Sequence, residues 1–185
     1  MPAPEKTTLD EIVAAGCELV ETLGAEGLTM QAVASRVGVR APSLYKRVRD
    51  RNELLSLVVA ATLAELTARV EATLVDPDPR ERIRAQAEEL RRFAHTRPVG
   101  YALVFGAHGS ARPEGAALAR SVTPLLDAVR ELTGDAHALD GARLVTAWAN
   151  GFIAMELGGS LRMGGDVDEA WRWGLDRLVG ALGPS

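Results

Sequence analysis

Apolar residues recur at helical spacing through almost the whole chain. The gaps between them are punctuated by glycine and proline, with no run of alternating β-branched residues that would read as a strand. Leu9, Ile12, Val13, Gly16, Leu19, Val20 and Leu23 make one such stripe. Thr8 with Glu11 is a capping box at its start, and Gly24 and Gly27 end it. Thr29 suits the cap of a short second helix carrying Met30, Val33, Ala34 and Val37, closed by Gly38. Pro42 fits the first turn of a third helix with Leu44, Tyr45 and Val48, because its missing N–H has no helical partner there.

Asp50 with Glu53 reads as a second capping box, opening a long fourth helix through Leu54, Val58, Leu63, Leu66 and Val70. Asp76-Pro77-Asp78-Pro79 breaks it. Further helical stripes follow around Ile83 to Ala94, in the apolar run from Val99 to Ala107, from Leu118 to Leu132, from Leu139 to Leu157, and from Asp168 to Leu182. The expected fold is all-α with about nine helices. A three-helix head over 1–50 is joined by the long fourth helix to a helical bundle over 51–185.

The single cysteine, Cys17, excludes an internal disulfide, and no apolar run approaches the ~20 residues of a membrane span. The N-terminal residues carry no signal-peptide pattern, so a cytoplasmic protein with no membrane partner is expected. His95, His108 and His137 have no metal-ligand spacing, and no phosphate loop or nucleophile motif is present. Neither an enzyme nor a cofactor is expected.

The net charge is −4, yet Arg36, Arg40, Lys46, Arg47, Arg49 and Arg51 crowd one segment in which Asp50 is the only acid. A basic island on an acidic chain is the footprint of a local phosphate contact. All of the island but Arg49 and Arg51 lies in TMQAVASRVGVRAPSLYKRV. There Ala34 is small enough for two helices to cross closely, Gly38 allows a tight turn, and Val33, Val37, Val39 and Leu44 fix the crossing. This is helix-turn-helix logic, and it turns Pro42, Ser43, Tyr45, Lys46 and Arg47 outward, where such motifs meet base edges.

The stretch GVRAPSLYKRVRDRNELL resembles the TetR family of bacterial repressors. The resemblance implies that Thr29 and Tyr45 touch phosphates, that Gln31 contacts backbone or base, and that Ala41, Pro42, Ser43, Lys46 and Arg47 face the major groove. It also implies that Arg51 clamps a phosphate at the start of the fourth helix. Arg40 stands where many members carry a serine or threonine cap, and is itself a candidate DNA contact. WANGFIAMELGG is similar to a ligand-domain signature of one TetR subgroup, with Asn150 and no histidine before Gly151. The implied partners are a double-stranded operator, a second copy of the chain, and a small apolar or aromatic ligand. Without ligand sensing, a constitutive DNA binder or a helical binding protein remains.

Candidate ligand residues are Leu66, Phe93, Tyr101, Phe105, His108, Leu126, Trp148, Phe152, Met155 and Glu156. Ala147, Gly151, Ala154 and Gly158 recur at spacings of four, three and four residues, a smooth helical stripe that a partner helix can approach. With Trp171, Gly174, Leu175, Leu178 and Leu182 on the last helix, it is the candidate dimer interface. The fourth helix, shared by head and body, is the expected lever between ligand and DNA.

Overall fold

The computed structural model describes residues 7–106 and 115–183. Among them are nine helices and no strand, in agreement with the expected all-α class: α1 Leu9–Gly27, α2 Met30–Arg36, α3 Ala41–Leu44, α4 Arg51–Glu71, α5 Pro79–Thr96, α6 Pro98–Phe105, α7 Gly115–Thr133, α8 Ala138–Leu157 and α9 Val167–Ala181. No helix of the described residues is long and apolar enough to cross a membrane.

The sequence suggests a division at residue 50; by packing, the chain forms two compact units. One compact unit takes residues 7–64 with 97–106 and 115–117, and the other takes 65–96 with 118–183. The helical head therefore keeps the first two-thirds of α4 and gains α6.

In the first unit, Thr8 and Glu11 form the capping box read from the sequence, each side chain accepting the other's backbone N–H. Gly24, at φ 73°, interrupts α1 near its end. Leu28 then turns inward and is fully buried. It meets Leu54 and Val58 of α4 beside Gly16, where a Cβ would lie 2.8 Å from Val58 Cγ2. Only glycine permits so close a crossing of α1 and α4.

α2 starts on the Thr29 hydroxyl, which accepts the Ala32 N–H. It ends in a Schellman turn: Gly38 at φ 73°, with the Val39 N–H donating to Ala34 O and the Gly38 N–H to Ser35 O. α3 is only four residues long. Tyr45 to Arg47 continue as a turn whose Arg47 and Val48 N–H groups return to Leu44 O. Asp50 caps α4 through the Glu53 N–H, while the Glu53 carboxylate accepts from Arg49 rather than from Asp50, one residue out of capping-box register.

α6 packs on α1. Pro98 has no N–H to satisfy and Arg97 supplies no side-chain cap. The Glu21 carboxylate of α1 does so instead, accepting from the N–H of Val99 (3.2 Å) and Gly100 (2.8 Å).

The second unit packs α5, α8 and α9 together. Glu89 of α5 is buried between the guanidinium groups of Arg69 and Arg92, and Arg69 also lies over the Phe93 ring at 5.2 Å. Trp171 of α9 is fully buried and donates its indole N–H to Glu88 (2.7 Å). Arg91 covers the Trp171 ring at 5.2 Å and bonds Glu156 (2.9 Å) and Asp168 (2.6 Å). His95 Nε2 stands 3.2 Å from the same Glu156 carboxylate. These contacts hold Glu156 below the ordinary carboxylate range, Arg91 being the main cause, and raise the Arg91 guanidinium above its usual value.

Two outcomes follow from this packing. A Cβ at Gly100 would lie 2.7 Å from Glu21 Oε1 and 3.1 Å from Thr62 Cγ2. Gly100→Ala is expected to lower unfolding free energy by ~1–3 kcal/mol in urea titration. Glu156→Gln is expected to cost ~2 kcal/mol at pH 7. The depressed Glu156 stabilises the fold above its unfolded value of 4.5 and loses that contribution as pH falls through its lower folded value. The variant should therefore show a flatter loss of stability on acidification below pH 4.5.

Candidate functional site

Two residues anchor the α3 segment and the rest face outward. Leu44 and Val48 are buried among Val33, Ala34, Leu54 and Leu55. Between and before them, Arg40, Pro42, Ser43, Tyr45, Lys46 and Arg47 are all exposed. Tyr45, 54% exposed, is a large aromatic side chain that the core does not use. Thr29 and Gln31 at the start of α2 are exposed as well, and Ala41 is half-buried.

The cations of the basic island separate into two groups. Arg36 pairs with Glu18, and Arg49 with Asp50 at 3.3 Å. Arg40, Lys46 and Arg47 have no carboxylate partner among the described residues, so their charge is available to an anion. Arg40 occupies the cap position of α3 without bonding it. A surface with three uncommitted cations and the hydroxyls of Thr29, Ser43 and Tyr45 can hold phosphates and hydrogen-bond to base edges.

Arg51, the expected phosphate clamp, is hydrogen-bonded within its own unit. Its Nε donates to Leu28 O (2.8 Å) and its Nη2 to Ala25 O (2.7 Å), so the guanidinium lies inward on the turn after α1. The sequence does not disclose this, because carbonyl acceptors leave no signature in side-chain identities. The role of Glu21 is hidden likewise, because the backbone N–H groups it accepts from leave no signature either.

The candidate ligand residues are shared between the two units. Tyr101 and Phe105 belong to the first unit, with ring centroids 5.0 Å apart, and burial pushes the Tyr101 phenol up to about 12. Leu66 and Phe93 are core of the second unit, and Leu126 is half-buried. Met155 is 49% exposed, since its position on α8 lies beside the outward stripe. Glu156 is engaged by Arg91 and His95. His108 lies outside the described residues.

Trp148 and Phe152 do come together, with Trp171 as their third member: Trp148 stacks on Trp171 at 4.9 Å, and Phe152 meets it edge-on at 5.2 Å. Trp148 and Phe152 wall an open groove of about 570 Å3 between α8 and α9, completed by Trp173, Asp166 and Glu169.

The dimer candidates divide between the two helices. Ala147, Gly151, Ala154 and Gly158 are all exposed, and a Cβ at Gly151 would meet nothing within 4 Å. On α9 most of the candidates lie inward. Trp171, Leu175 and Leu182 are buried within their own chain. Gly174 makes room for Trp148, whose Cζ2 lies 2.5 Å from where its Cβ would be. Leu178 is half-buried. The periodic apolar stripe of α9 packs on its own unit, and the exposed face carries Ala170, Trp173, Arg177 and Gly180 instead.

Residues 5–58 match the model of the bacterial regulatory proteins of the tetR family, and residues 83–178 match the tetracyclin repressor-like C-terminal domain. An HTH-type transcriptional regulator of Saccharopolyspora erythraea is 32% identical over 151 residues, covering 80% of this chain and 61% of that protein. The chain thus spans less than two-thirds of that relative's length. A protein of unknown function from Rhodococcus sp. RHA1 superposes with a TM-score of 0.83 at 23% identity, covering 98% of each chain. A TetR variant from Acinetobacter baumannii AYE, solved in complex with minocycline, gives 0.69 at 23% identity over 95% of this chain and 96% of its own. At such identities the superpositions speak for the fold, and the two family models, in register with the α1–α4 head and the α5–α9 helices, carry the assignment: the chain belongs to the TetR family of bacterial regulatory proteins.

Proposed function

We propose that the protein is a DNA-binding transcriptional repressor. It acts in the cytoplasm as a homodimer on a palindromic operator and is released by a small apolar or aromatic ligand. The observation that carries the DNA reading is the α3 segment, where buried Leu44 and Val48 hold Tyr45, Lys46 and Arg47 outward, with no carboxylate among the described residues to neutralise the two cations. Pro42 and Ser43 at the start of α3, with Ala41 beside them, form the part that enters the major groove. Thr29, Gln31, Arg40 and Tyr45 flank them toward the phosphates.

The outward stripe of Ala147, Gly151, Ala154 and Gly158 supports association of two copies through α8, with Trp173 extending the apolar surface on α9. Two-fold symmetry would set two α3 segments about 34–36 Å apart, one turn of DNA. Trp148 and Phe152 form the aromatic wall that supports the ligand half of the reading. A neighbour of the same fold, the Acinetobacter baumannii TetR variant, was solved with minocycline bound.

Selection of duplexes from a random pool tests the DNA reading, and enrichment of a palindrome is the expected result. On the selected duplex, Tyr45→Ala with Lys46→Ala should abolish specific binding with fold and oligomeric state unchanged. Lys46→Ala alone should flatten the salt dependence by roughly one unit for each phosphate it no longer neutralises. Unaltered affinity would refute the assigned face. For the dimer, Gly151→Arg places a long cation in the middle of the stripe, and sedimentation should show a folded monomer; a persistent dimer would put the interface elsewhere.

A further inference from the structure

The segment that carries the DNA-facing residues runs from Thr29 to Asp50, and the two residues that bracket it are Leu28 and Arg51. These two are hydrogen-bonded: Arg51 Nε donates to Leu28 O at 2.8 Å, and the same guanidinium reaches Ala25 O through Nη2 at 2.7 Å. The side chain of the first α4 residue thus closes the base of the loop formed by α2, the Gly38 turn and α3.

The carbonyls it takes lie where α1 ends. Gly24 breaks the helix at φ 73°, so Ala25 O accepts only the Leu28 N–H from the backbone beyond it. No lysine or arginine occupies the last turn of α1 to cover them. A guanidinium is suited to the task because its planar fork serves two carbonyls from one rigid group, whereas an ammonium on a flexible stem does not. Apart from the solvent-exposed Arg36–Glu18 pair, which water screens, the other fastenings of the segment are apolar: Leu28, Leu44 and Val48 in the core. Those resist withdrawal from the core but do not fix the angle at which the segment leaves it. Directional bonds at the base of the loop do.

We infer that Arg51 is a positioning residue for DNA recognition: it clasps the two ends of the helix-turn-helix segment and sets the angle of α3, and its charge does not serve as a phosphate contact. This rests on the DNA-binding reading above. It reassigns the charge that meets phosphate to Arg40, Lys46 and Arg47, the cations with no partner among the described residues.

Two variants and two measurements separate the possibilities. Arg51→Lys keeps the charge and loses the fork; Arg51→Gln loses the charge and keeps an N–H donor. In the DNA-free protein, both should accelerate amide hydrogen exchange in residues 25–30. Exchange rates equal to those of the unchanged protein overturn the clasp, whether or not the chain binds DNA. On a duplex enriched from a random pool, measured well below the melting temperature, both variants should bind about tenfold more weakly. Their salt slope should equal that of the unchanged protein, and their preference over a random-sequence duplex should be reduced.

A phosphate clamp gives the opposite pattern: Arg51→Lys nearly harmless, and Arg51→Gln flattening the slope by about one unit. A residue with a merely structural role would lower the melting temperature and leave affinity for the enriched duplex unchanged. Either result overturns the proposal.

Discussion

The head depends on how closely α1 and α4 approach one another at Gly16. With no side chain there, Val58 and Leu54 of α4 and Leu28 of the following turn share one small volume. Leu28 is fully buried as a result, and the chain emerges beside it to begin α2 at Thr29. At the other end of the recognition segment, Val48 enters the same core just before α4 begins. The short α3 helix has no independent stability, since four residues fall far below the length at which a helix holds itself. Its geometry is inherited from the α1–α4 crossing through Leu44 and Val48, and from the polar bonds at the base of the loop.

A similar economy governs the second unit, but with aromatic and ionic groups. Trp171 is buried beneath Arg91 and against Trp148 and Phe152, and its indole N–H is satisfied by Glu88. Arg91 in turn ties α8 and α9 to α5 through Glu156 and Asp168. A partly buried guanidinium is costly to desolvate unless its donors are matched, and two carboxylates with an aromatic face match them. Arg91, Glu89 and Glu156 are thus engaged in holding this unit together, while its exposed stripe is made of alanine and glycine.

Much of this is legible in the sequence, and what is not has definable causes. Gly38 and Thr29 can be assigned from sequence because turn and cap chemistry is local: the backbone needs the residue type where it stands. The helices follow from periodicity alone. The face of α9 does not, because both of its sides carry apolar residues. A stripe such as Trp171, Leu175 and Leu182 says that a helix has a buried side without saying which body buries it. Glu156 looks equally like a ligand contact and an ion-pair partner, and only the arrival of Arg91 from α5 decides it. Arg51 reads as a surface cation since its acceptors are main-chain carbonyls, present in every residue and therefore invisible in composition. The grouping of α6 with the head rests on Glu21 meeting two N–H groups far along the chain, at Val99 and Gly100, a relation that no local pattern encodes.

The brevity of α3 has an evolutionary consequence. Of the residues from Ala41 to Arg47, only Leu44 is fully buried, with Ala41 packed against the core at its edge. Exchanges at the exposed positions carry little thermodynamic penalty, typically within about 0.5 kcal/mol. A lineage built on this scaffold can therefore explore new surface chemistries at Pro42, Ser43, Tyr45, Lys46 and Arg47 one substitution at a time, each intermediate still folded. The constraint falls instead on Gly16, Leu28, Ala34 and Gly38, where a change would move the whole segment rather than alter what it displays.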